Sequence, residues 1–418
     1  MAIEMKNSGV KWIGEIPSNW FLSPIYKNFH DRIYLNLDYE FQRAFKFNYG
    51  TLKYKDEVGD LDLYRDTYLK YSKVKKHDIV INGLNLNYDF VSQRVAITPE
   101  DGIITSAYIA MRPYADIIPN YFCYLFKAMD NMKMFHGMGK GIRLTLSFDE
   151  LKRQIVCVPP LQEQEAIANF LDEKCAEIDG LLADLEEQIK TLRAYEKSLI
   201  AETVTHGLNP NAPMMQSGIP WAETIPAHWE IEKGKYAMRL LQRPVKDDDG
   251  VITCFRDGQV TLRSNRREEG FTMSSKEYGY QGIEPGDLVV HGMDGFAGSI
   301  GVSDSRGKAT PVLNVLDSTH NKRFLMYYLR NMAYGDVFLA LSTGIRVRSC
   351  DLSWKKLGDL KLILPPKDEQ DEIVNFIDNK ISQIEELIAD KLQQLAQLKE
   401  YKSSLIYEYV TGKKQVAL

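Results

Sequence analysis

Cysteine is scarce. The 418-residue chain has five, Cys123, Cys157, Cys175, Cys254 and Cys350, none in a Cys-x-x-Cys spacing. Neither a zinc site nor a disulfide framework is indicated, and a reduced, cytoplasmic chain is expected. No stretch approaches about 18 consecutive apolar residues, and the N-terminus lacks an apolar run behind a basic start. Neither a membrane span nor a secretory signal is expected. Excess positive charge is also missing, with 52 Lys and Arg against 57 Asp and Glu and a net charge of −5. The total therefore gives no sign of a nucleic-acid partner.

Motifs of catalysis are equally sparse. Gly307-Lys308-Ala309-Thr310 is a poor phosphate loop, because the upstream Gly301 stands one residue too far away and no hydroxyl directly follows the lysine. Gly295-x-x-Gly298-x-x-Gly301 lacks dinucleotide-loop spacing and reads as a tight turn between strands. Asp172-Glu173-Lys174 and Asp378-Asn379-Lys380 resemble half of a nuclease site, but both fall in helical segments where alternating charge is a solvated face. The seven histidines form no ligand spacing. An adenine methyltransferase needs a cofactor-binding glycine turn and an Asn/Asp-Pro-Pro-aromatic tetrad, and Asn209-Pro210-Asn211 is not one. No chemistry is expected from this chain.

What the sequence does contain is itself, twice. The segment from Pro159-Pro160 to Thr205 matches that from Pro365-Pro366 to Thr411 at roughly 22 of 47 positions, without a gap. Ser8-Gly9 followed by Trp12-Ile13-Gly14-Glu15-Ile16-Pro17-Ser18-Asn19-Trp20 returns as Ser217-Gly218 followed by Trp221-Ala222-Glu223-Thr224-Ile225-Pro226-Ala227-His228-Trp229. Each copy thus has a Trp-bearing opening, a globular stretch of about 140 residues and a long charged segment. The globular stretches have diverged far more than the frames around them. Two copies imply a pseudo-twofold axis, and a shared scaffold carrying dissimilar domains implies two different readers.

The charged segments read as helices with a coiled-coil seam. Leu171, Cys175, Ile178, Leu182, Leu185, Ile189, Leu192 and Leu199 alternate steps of four and three, as do Ile377, Ile381, Ile384, Ile388, Leu395, Leu398 and Leu405. Glu196, Lys391 and Lys402 interrupt the seam. A Pro pair suits a helix start, and the following acidic residues complement its positive end. About 38 residues would make a rod of roughly 55–60 Å. Connectivity favours antiparallel rods, since the second globular stretch leaves one rod's end and enters the other's start. The globular domains would then sit at opposite ends. Within them, Asp78-Ile79-Val80-Ile81 and Gly286-Asp287-Leu288-Val289-Val290 read as strands, and Tyr121–Met129 and Arg323–Arg330 as helices.

Charge separates these parts, at +3 for residues 1–158, −7 for 159–210, +2 for 211–364 and −3 for 365–418. The acidity lies on the rods, and the globular stretches are mildly basic. Lys70, Lys73, Lys75 and Lys76 cluster in one and Arg263, Arg266 and Arg267 in the other, although a solvated charged face has the same composition. Gly139-Lys140-Gly141-Ile142-Arg143 corresponds to Gly344-Ile345-Arg346-Val347-Arg348. Glycine lets backbone approach phosphate and Arg can read guanine, so Lys140, Arg143, Arg346 and Arg348 are candidate contacts; a structural turn with a surface Arg is the alternative. Tyr64, Tyr68 and Tyr71 either line a groove or fill a core, core being the more usual role.

Three motifs carry a family resemblance. The Trp-Ile-Gly-x-Ile-Pro-x-x-Trp opening, the Pro-Pro-x-x-Glu-Gln-x-x-Ile-x-x-Phe helix starts and the Ser-Leu-Ile-x-Glu-x-Val-Thr helix ends resemble the specificity subunit of type I restriction-modification systems. The resemblance covers essentially the whole chain. It implies an α+β fold with two target recognition domains, residues 1–158 and 207–364, on a long antiparallel coiled coil of conserved helices 159–206 and 365–411, followed by a tail of residues 412–418. In that family each domain reads one half of a bipartite, asymmetric double-stranded DNA site. The helices set the gap and dock two modification (methyltransferase) subunits, which carry S-adenosylmethionine. Restriction subunits using ATP and Mg then join. The resemblance thus implies a non-catalytic chain that binds no cofactor or metal itself. A fused restriction or methylation enzyme, or a coiled-coil interaction protein indifferent to DNA, are the competing classes.

Overall fold

The computed structural model describes residues 4–31, 34–56, 61–266, 278–340 and 352–417. They divide into two compact units, Met1–Leu185 with Leu392–Leu418, and Glu186–Lys391. Both are mixed α+β, with antiparallel sheets packed on helices.

In the first unit, β1 (Phe29–His30), β2 (Ile79–Ile81), β3 (Val95–Ile97) and β4 (Ile109–Pro113) form a sheet of order β1-β4-β2-β3. Successive strand side chains point to opposite faces, so Ile79 and Ile81 enter the main core while Val80 enters a second one with Phe45, Leu52, Val74 and Ile104. Because both faces are covered, this strand is apolar at every position. Against the main-core face lies α1 (Pro119–Asn131), which buries Tyr121, Phe122, Leu125, Phe126 and Met129. Tyr68 is fully buried beside Tyr64 and Tyr71 in a small separate core. Part of α2 (Leu161–His206) completes the main core through Ile167, Leu171, Cys175 and Ile178.

The second unit repeats the plan. Its strands β5 (Met238–Leu240), β6 (Leu288–His291), β7 (Ile300–Val302) and β8 (Leu313–Ser318) are ordered β5-β8-β6-β7, the same topology. Leu288 and Val290 face one core and Val289 the other. The helix α3 (Lys322–Tyr334) stands where α1 does, and α4 (Lys367–Val410) supplies Ile373, Val374 and Ile377. Four two-stranded sheets in each unit also correspond in chain order.

Within each unit the α2 and α4 segments run antiparallel. In the first, Phe170 packs on Tyr409 at 4.4 Å between ring centroids and Lys402 donates to Asp179 at 2.6 Å. In the second, Lys391 donates to Gln188, and Gly207 lies against Glu369. The seam positions Leu171, Ile178, Ile377, Ile384, Ile388 and Leu395 are buried, and Leu182, Leu185, Ile189, Leu192, Ile381 and Leu398 are half-buried. At 46 and 44 residues, the helices exceed the 38 expected. The seam stops marking them before they end, because the final turns pack into the unit cores through Val204 and Val410. Termination comes at Gly207 and Gly412, whose φ of +74° and +73° is the left-handed conformation glycine adopts most readily.

Candidate nucleic-acid interface

The repeated motifs prove to be joints. The indole N–H of Trp20 donates to Glu163 at 2.7 Å, and that of Trp229 to Glu369 at 3.1 Å, tying each opening to a helix start. One residue on, Gln164 and Gln370 each donate to the first carbonyl of the Pro pair and accept the backbone N–H of Ile118 or Asn321, just before α1 or α3. The nuclease-like acids are joints too. Asp172 accepts Tyr124 and Asn120, and Asp378 accepts Tyr327 and Arg323. Burial comes first among the causes that raise the Tyr327 phenol well above its ordinary range, followed by its bond to Asp378. These acids hold the domains on the helices.

Other conspicuous groups are also structural. Gly298 adopts a φ of +94° in the turn between β6 and β7, and Gly301 lies so close to the Gly258 carbonyl that any side chain would collide. Burial pushes the Cys157 and Cys254 thiols up to about 12, which makes them unreactive core residues. Among the described residues no cluster of His, Cys, Asp or Glu could hold a metal, and no helix is long and apolar enough to cross a membrane.

The candidate cations fall into three groups. Lys70, Lys75 and Lys76 are exposed, whereas Lys73 is engaged by Asp38 and Glu40, both at 2.6 Å. In the second unit, half-buried Arg263 bonds the Thr253 hydroxyl at 3.3 Å, and Arg266 pairs with Asp257 at 2.7 Å while covering the Phe255 ring. Arg267, Arg346 and Arg348 lie outside the described residues, and with them the second glycine loop. The first glycine loop is a tight turn in which Lys140 and Thr145 exchange backbone hydrogen bonds of 3.0 and 2.9 Å. Lys140 also pairs with Glu150 at 3.0 Å, and bonds from Ser147 and Lys140 hold that carboxyl at about 2. Arg143 is exposed at the tip.

This turn is half of a larger structure absent from the sequence-based expectations. The thirteen residues between β2 and β3 form a loop zipped onto it by backbone bonds from Leu86 to Leu144 at 3.2 Å and from Leu146 to Gly83 at 2.9 Å. At the loop's root sits Arg94, only 2% exposed. Its guanidinium donates to the carbonyls of Asn82, Leu84, Asn85 and Asp89, so one side chain fixes four backbone positions. Asp130 accepts the N–H of Arg94 at 2.7 Å and the Gln93 amide, and its carboxyl is pushed up by burial. His136 meets the Asp89 carbonyl at 3.0 Å and stacks on Phe90. The Asn- and Gly-rich run from Asn82 to Asn87 was the available sign of a long structured loop.

The matching loop of the second unit, residues 292–299, is shorter and built differently. Asp294 pairs with Arg256 at 3.1 Å, and the His291 ring accepts the N–H groups of Met293 and Asp294. Burial holds that imidazole below its ordinary value, keeping it the neutral acceptor these bonds require.

Comparison with known proteins finds type I restriction-modification specificity subunits. Residues 66–191 match the family model of the type I restriction modification DNA specificity domain. The StySPI type I restriction enzyme specificity subunit of Salmonella potsdam is 24% identical over 398 residues, 87% of this chain and 82% of that protein. The putative MjaX specificity subunit of Methanocaldococcus jannaschii is 23% identical over 437 residues, 97% of this chain and 96% of that one. A chain from a solved structure concerned with assembly of a type I R-M system shares the fold at a TM-score of 0.69, with 13% identity, covering 96% of this chain and 99% of that chain. Residues 66–191 thus match a type I restriction modification DNA specificity domain, and the chain, with two units of one topology joined to their helices by the same Trp–Glu and Gln bonds, is similar along nearly its full length to type I restriction-modification specificity subunits.

Proposed function

We propose that the two units read the two halves of a split DNA site, and that α2 and α4 fix the unspecified gap between the halves. The observation that carries this reading is the contrast between frame and loops. The Trp–Glu, Gln and Tyr–Asp joints are repeated in both units, whereas the loops after β2 and β6 differ in length and internal bonding. A device that reads two different half-sites needs this combination, a constant scaffold with variable tips. The repeated frame also offers equivalent surfaces to two copies of one partner, the modification subunits, with restriction subunits added to that assembly.

Methyl transfer and DNA cleavage belong to those partners in this reading, together with S-adenosylmethionine, ATP and Mg. Among the described residues, Asp172 and Asp378 are occupied in joints, Gly298 stands in a turn and Gly307 in a strand. The modest basicity of the globular parts supports the reading that much of the phosphate affinity comes from the partners as well. Exchanging residues 20–150 for the corresponding part of another such subunit, and mapping methylated adenines, tests the proposal. One half of the motif is expected to change; a change in both halves, or in neither, contradicts it.

A further inference from the structure

We infer that the loop between β2 and β3, through Tyr88 and Val91, is the base-reading element of the first unit, acting with Ile142 and Arg143 of the turn zipped to it. This rests on the proposed two-reader function and names the side chains that would carry out one reading. Tyr88 is 78% exposed, Val91 92% and Ile142 97%. Exposed apolar side chains on a pair of joined loops are unfavourable in water unless something covers them. Here they stand on a rigid base, because the buried Arg94 fixes the carbonyls on either side of Tyr88 and Asn87 donates to the Ile142 carbonyl at 3.4 Å.

DNA is the occupant that fits this patch. Apolar side chains read the thymine methyl in the major groove or wedge between base steps, and the adjoining Arg143 supplies a guanine or phosphate contact. A protein partner fits less well. Partners that dock on both units would need a surface repeated in both, and this one is not: the second unit has a loop of eight residues in place of thirteen, tied through Asp294 to Arg256 of an earlier segment. A surface present in one unit and replaced in the other is what distinguishes two half-sites.

The test is binding by the full chain assembled with its modification partner, using duplexes that carry every single-base change in each half-site. The Tyr88→Ala/Val91→Ala double variant alters exposed side chains only. It should lose roughly tenfold or more of its discrimination at one or two adjacent positions of one half-site, with the other half-site read as by the wild type. Unchanged discrimination in an assembled complex overturns the inference. So does a variant that no longer assembles with the partner, because the loop is then a docking surface. If the wild-type complex itself shows no sequence preference, the two-reader function fails instead, and the control separates that outcome from the failure of this inference.

Discussion

Removing one carboxylate at a helix start should loosen a whole unit. In Glu163→Ala the indole N–H of Trp20, only 1% exposed, loses its acceptor, and Asn19 loses a bond of 2.6 Å at the exposed end. A buried donor left unpaired costs about 1–3 kcal/mol, and losing an acidic side chain in the first turn of a helix costs a further 0.3–1 kcal/mol or so. The exposed Asn19 bond adds little. A total of about 2 kcal/mol, in a unit of roughly 200 residues, lowers Tm by about 4–8 °C. Glu163→Gln keeps an acceptor for the indole and loses only the charge, so its drop should be about 1–3 °C. Scanning calorimetry of the full chain measures both. A Glu163→Ala shift below 1 °C, or a Gln variant as damaged as the Ala variant, would refute the view that this bond ties the opening to the helix.

Three further outcomes are expected. Arg143→Ala should weaken specific binding by roughly 1–3 kcal/mol if the contact is to a base, seen as a relaxed preference at one position; unchanged affinity and motif would make the turn purely structural. His291 has a folded-state pKa below its ordinary value, so its contribution to stability is full above that ordinary value and is lost as pH falls through the folded one. Deuterium uptake over residues 291–298, corrected for intrinsic exchange, should rise between about pH 7.5 and about pH 5 in the wild type but not in His291→Gln. Inserting one heptad in both helices, near Glu186-Glu187 and Leu392-Gln393, adds about 10 Å of rise and should lengthen the spacer by roughly three base pairs. Methylation at the original spacer by a folded, partner-bound insertion variant would contradict that.

Much of the frame was legible because it is written in local rules. The Pro pairs mark where α2 and α4 begin, the apolar steps of four and three mark their packed faces, and unbroken runs such as Ile79-Val80-Ile81 mark strands covered on both faces. The ends of the helices were harder to read, since the seam fades into globular packing before Gly207 and Gly412. Least legible was the candidate interface. Arginine ordinarily lies at the surface, so nothing in the sequence distinguishes buried Arg94, which organises a loop, from exposed Arg143 at a turn tip. Lys73 shows the converse: a residue counted in a basic cluster is engaged by Asp38 and Glu40, more than thirty positions away in sequence. Lys73 depends on a distant segment and Arg94 on the irregular backbone of its own loop, and periodicity reveals neither.

Mapping N6-methyladenine across a genome in cells expressing this chain with its modification partner measures the central claim directly. The account predicts a single asymmetric motif in two parts, separated by a gap of fixed length, and its loss when this chain is omitted. Methylation without a shared motif, or at one contiguous site, would contradict the assignment of one half-site to each unit.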